Sequence, residues 1–145
     1  MAQSKQNNLA YWKQLKFYVD EQKLDWTFTS LGGDALAVVG IGSPEHRMHL
    51  SLNDMYSKNA RTVIAAGFWI PDSKEAFSYL KDKRGLIEAE MGKALVWDSK
   101  PGRKSSWIWV KTNFDLSHQK NWPASIEWFA VNATKLRDVC WKGLE

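Results

Sequence analysis

The chain has 145 residues, 44% of them hydrophobic and 25% charged, and a formal net charge of +4. That is the make-up of an ordinary folded domain, long enough to build one real core and too apolar throughout to stay disordered. The lone Cys140 excludes an intramolecular disulfide framework, and no run approaches the ~20 apolar residues of a membrane helix, so a cytoplasmic chain without a membrane partner is expected.

The charge is unevenly placed. Over the first sixty residues Lys5, Lys13, Lys16, Lys23, Arg47 and Lys58 are balanced by Asp20, Glu21, Asp25, Asp34, Glu45 and Asp54. Between positions 100 and 120, by contrast, Lys100, Arg103, Lys104, Lys111 and Lys120 face Asp115 alone. A surface of that kind suits an anionic partner, and equally a soluble one with none.

In chain order, residues 8–22 read as a helix, with Leu9, Trp12, Leu15 and Val19 on one face. Residues 24–29 are ambiguous, and Leu31-Gly32-Gly33-Asp34 is a turn. A strand is expected over 35–42, a turn at Gly42-Ser43-Pro44-Glu45, and an alternating strand over 46–52. A polar loop at 53–59 leads to a long strand over 61–70, which Pro71 stops. Asp72, with Glu75 three residues on, reads as the cap of a helix running to Met91, striped by Phe77, Leu80, Arg84, Ile87 and Met91, with Gly92 as its left-handed end. Strands follow at 94–98 and 106–112, and Trp122-Pro123 opens a last helix striped by Ile126, Phe129, Ala133, Leu136 and Cys140. The expectation is a single α+β domain, order α-β-β-β-α-β-β-α, with a mostly antiparallel sheet of about five strands and three helices on one face.

Alternation fixes what the other face carries. If Met48, Leu50, Leu52, Ile64, Phe68, Ile70, Ile108 and Val110 turn toward the helices, the opposite side presents Arg47, His49, Ser51, Val63, Ala65, Gly67, Trp69, Trp107, Trp109 and Lys111. The candidate binding residues are therefore Arg103, Lys104, Trp107, Trp109, Lys111, Trp69, Arg47 and His49. Paired indoles beside basic groups suit stacked bases and phosphates; they equally suit a protein partner or a homodimer, or are covered as a second small core.

Catalytic patterns fare poorly. Pro71-Asp72 with Asp98-Ser99-Lys100 reproduces the letters of a PD…(D/E)xK nuclease, in which two carboxylates hold Mg²⁺ and a lysine polarises water. Here Asp72 reads as a helix cap, and a long helix separates it from Asp98. His46 and His49, three apart on a strand, face opposite ways, and His118 lies in a loop, so no metal site is expected. Ser117 and Lys120 lack a rigid helix beneath them, Cys140 belongs to a core stripe, and Gly40-Ile41-Gly42 lacks the third glycine of a dinucleotide loop; no cofactor is expected.

Ile87-Glu88, Gly92, Leu95-Val96-Trp97, Arg103-Lys104, Asn121-Trp122-Pro123 and Trp128 together resemble a bacterial, archaeal and phage domain family of unknown function, over about Tyr11 to Cys140. That family often stands C-terminal to predicted restriction-endonuclease-like proteins. The resemblance implies an accessory module in a DNA-processing or phage–host defence setting, and supplies no catalytic residues. Ala65-Ala66-Gly67 departs from it, where larger or acidic residues are common.

Overall fold

A computed structural model describes residues 2–29, 31–43, 46–52 and 63–145. The loop expected over 53–59, the start of the 61–70 strand and Pro44-Glu45 of the turn lie outside these. In order, the elements are α1 (Ala2–Glu21), β1 (Trp26–Phe28), β2 (Leu36–Ile41), β3 (Arg47–Ser51), β4 (Val63–Ile70), α2 (Lys74–Asp82), α3 (Arg84–Met91), β5 (Val96–Asp98), β6 (Ser106–Asn113), a short 3₁₀ turn (Gln119–Asn121) and α4 (Trp122–Leu144).

The fold is α+β, with six antiparallel strands in the order β1-β2-β3-β4-β6-β5 and four α-helices, where about five strands and three helices were expected. The extra strand is the ambiguous 24–29 segment: Trp26–Phe28 pairs with Val39–Ile41 at the sheet edge. The extra helix comes from a break at Lys83, whose ψ of 14° leaves the helical region. Gly85 weakens this stretch, and the Lys83 side chain is used elsewhere: its ammonium donates to Gly143 O at 2.9 Å and sits 4.2 Å from the Tyr79 ring. The break also takes Arg84 out of the expected apolar stripe and into solvent, while Phe77, Leu80, Ile87 and Met91 stay buried.

A second correction concerns the start of α2. Its cap is Ser73, whose hydroxyl accepts from Ala76 N at 3.0 Å; Asp72 stands exposed one residue earlier. The serine provides the acceptor an open helix start needs, so the aspartate has no capping role.

Strand β6 returns between β4 and β5, which makes β4 and β5 parallel and requires a crossover, here α2 and α3. One apolar cluster joins Met48, Leu50, Ile64, Phe68, Ile108 and Val110 of the sheet to Trp12 and Leu15 of α1 and to Phe129, Ala133 and Leu136 of α4. Helix α1 is further fastened by Trp12 Nε1 donating to Asp34 O at 2.8 Å. Tyr11 and Ser125 join α1 to α4 through a buried 2.7 Å hydrogen bond, and burial pushes the Tyr11 phenol above its ordinary pKa. Among the described residues, no helix is long and apolar enough to cross a membrane.

Candidate functional site

The sheet register settles which side chains share the second face. His49 is opposite Gly67, and Gly67 is opposite Trp109; Trp69 is opposite Trp107; Ser51 is opposite Ala65, and Ala65 opposite Lys111. These residues alternate with those of the helix-side cluster, so they project to the far face. Trp109 and Ala65 are both buried yet lie outside that cluster, as the far face requires.

The rings on this face touch. Trp107 Nε1 donates to His49 Nδ1 at 2.9 Å, and His49 stacks on Trp69 with centroids 5.0 Å apart. Because Nδ1 accepts, the proton of the neutral imidazole sits on Nε2. Desolvation, helped by the positive charge of Arg47, lowers the His49 pKa to about 4, so the ring is uncharged near neutrality. The Trp69 and Trp109 indole nitrogens are buried with no hydrogen-bond partner among the described residues.

The two tryptophans of β6 are not equivalent. Trp109 is only 2% exposed and its ring lies against Gly67, where an added Cβ would stand 2.6 Å from Cε3 and Cζ3. Its burial removes it as a stacking platform, so of the alternatives left open for the two β6 indoles Trp109 takes the covered one. Trp107 and Trp69 stay half-buried. The small residues Ala65 and Gly67, where the chain departs from the resembled pattern, thus have a local use: Gly67 makes room for the Trp109 ring.

Basic groups border the aromatic patch. Arg47 and Lys111 are exposed on β3 and β6, and Lys93 Nζ donates to Lys111 O at 2.7 Å. Arg103 and Lys104 stand exposed on the β5–β6 turn, where Lys100 (φ 46°) and Gly102 (φ 84°) adopt left-handed backbone. Lys100 Nζ lies 6.0 Å from the Trp107 centroid and 3.3 Å from Asp98 Oδ2.

Lys74, at the start of α2, was not foreseen. Its ammonium donates to Lys100 O at 3.2 Å, Ser105 O at 2.8 Å and Ser106 Oγ at 3.1 Å, and also to Ser99 O. One cation from across the fold therefore holds the basic turn in shape. No local spacing could announce this, because the contact spans about thirty residues of chain.

The other sequence candidates gather no metal-holding group among the described residues or are otherwise engaged. Asp98 pairs with Lys100, and Asp72 is exposed ahead of its helix. Among the described residues no group of three or more His, Cys, Asp or Glu could hold a metal ion. His46 stacks on Trp141 of α4 at 4.1 Å, away from His49. Ser117 donates to Asp115 at 2.5 Å, which with the neighbouring backbone hydrogen bond holds that carboxyl below its usual range. Cys140 is fully buried, and desolvation pushes its thiol up to about 12, leaving it protonated and inert as a nucleophile.

Neither the curated proteins nor the solved structures contain a match to this chain. A family model described as a domain of unknown function, DUF4268, matches residues 7–144. With nearly its whole length covered, the chain belongs to the DUF4268 family.

Proposed function

We propose that the chain is a non-enzymatic binding or accessory module that engages single-stranded nucleic acid through the far face of its sheet. The observation that carries this reading is Trp107: a half-buried ring with the Lys100 ammonium 6.0 Å from its centre, at the root of a basic turn held by Lys74. An aromatic face gives any base a stacking partner, and the lysines and arginines beside it meet phosphates. Arg47, Arg103, Lys104 and Lys111 extend the positive border, while His49 and Trp69 back the Trp107 ring. The DNA-processing or defence setting implied by the resemblance fits such a ligand.

Fluorescence anisotropy of the full chain with a labelled single-stranded oligonucleotide tests the proposal. Affinity should fall steeply between about 50 and 200 mM salt. Trp107→Ala should weaken binding by about tenfold or more, the loss of one stacked base. Lys104→Ala should weaken it less and lower the salt slope by about one. Absence of binding at low salt, or binding indifferent to both substitutions, overturns the reading. Salt-insensitive self-association that Trp107→Ala abolishes would assign the patch to a homodimer instead.

A further inference from the structure

On the helix side of the molecule, the C-terminal half of α1 and the first two turns of α4 line an open groove of about 800 Å³. That volume is within the range of ligand clefts, about 300–1,000 Å³. Its apolar surface comes from Phe17, Tyr18, Pro123 and Ala124 over the buried Ile126, and Phe17 is 67% exposed. A phenylalanine left this open on a folded helix stabilises nothing by burial.

The groove's charge is opposite to that of the chain. The sequence has 20 lysines and arginines, yet none lines the groove, whose ionisable residues are Glu21 and Glu127. Glu21 is the last residue of α1, at the negative end of the helix dipole, and that helix has no basic residue in its last turn. Neighbouring Asp20 is neutralised by Lys16 at 2.8 Å, whereas neither Glu21 nor Glu127 has an ion-pair partner among the described residues. A carboxylate at a helix C-terminus is unfavourable alone and becomes favourable when a cation arrives.

We propose that this groove docks a cationic amphipathic segment of a partner polypeptide. One apolar side chain of that segment seats against Phe17 and Pro123, and flanking lysine or arginine groups meet Glu21, Glu127 and the Phe17 and Tyr18 rings. The carboxylates repel phosphates, which excludes nucleic acid here. The groove shares no residue with the far-face patch, so the module would hold two partners of opposite charge.

The test uses a short fluorescein-labelled peptide of leucine, lysine and arginine with leucines at helical spacing. A glutamate-for-lysine counterpart and a leucine-free counterpart accompany it. The full chain should bind the first peptide despite its own positive charge, and the two counterparts far more weakly. Phe17→Ser and the double variant E21Q/E127Q should each weaken binding about tenfold or more. Thermal melts check that both remain folded, and Trp107→Ala should leave peptide affinity unchanged. Equal binding of any counterpart, or equal binding by both groove variants, overturns the proposal. So does self-association that Phe17→Ser abolishes, because a second copy would then be the occupant.

Discussion

The two faces of the sheet are built from alternate residues of the same strands, yet they differ in kind. On β6, Ile108 and Val110 enter the core and are fully buried, while Trp107 and Trp109, alternating with them, project the other way. The helix side mixes aliphatic side chains with Trp12, Phe68 and Phe129 and is closed by α1 and α4. The far face is aromatic, carries an uncharged histidine and is bordered by cations. Period-two geometry gives one strand two independent sets of side chains, one for the core and one for the recognition proposed above, so the two can be perturbed separately.

The largest expected contrast lies within β6. Ile108→Ala removes a fully buried side chain and should cost about 2–5 kcal/mol of stability in urea denaturation. Trp107→Ala, on the far face, loses a half-buried ring and one hydrogen bond to His49 and should cost about 1–2 kcal/mol. Comparable losses at both positions would erase the division between the faces.

The next effect depends on pH. His49 has a folded pKa of about 4, below its ordinary 6.5, so the unfolded chain binds more protons between those values. The stability that neutral His49 retains is fully present above about pH 6.5 and falls away as pH drops toward 4, by about 3 kcal/mol in all. His49→Gln keeps an acceptor for Trp107 and removes the titration, so its stability profile should be flatter over this window. An unchanged slope would show that His49 is not held neutral by its surroundings.

The smallest expected effect concerns Gly67. A methyl there meets the Trp109 ring at 2.6 Å, and Gly67→Ala should cost about 1–3 kcal/mol of overpacking. Adding Trp109→Leu should recover part of that cost. Additive losses in the double variant would separate the glycine from the indole.

Membership of the far face was legible in advance because alternation needs no knowledge of neighbours. His49, Trp69, Trp107, Trp109 and Lys111 can be grouped once the strands are placed. What could not be read was how the rings sort themselves after pairing. Gly67 lies opposite Trp109 and receives its ring, whereas Trp107 faces Trp69 and stays half-open, a difference set by the β4–β6 register. The insertion of β6 between β4 and β5, the helix break at Lys83 and the reach of Lys74 also depend on contacts distant in sequence. The groove was missed because helical periodicity counts apolar residues toward a core, and Phe17 falls off the stripe of Trp12, Leu15 and Val19.

The Lys74 ammonium gathers oxygens from both ends of one turn. The β5–β6 hairpin therefore borrows its shape from another part of the fold. Excised as a peptide, or grafted onto a foreign scaffold, it would keep Arg103, Lys104 and Trp107 but lose their arrangement. The basic turn is thus not a portable epitope, and swapping it between relatives requires carrying the lysine at the start of α2 with it.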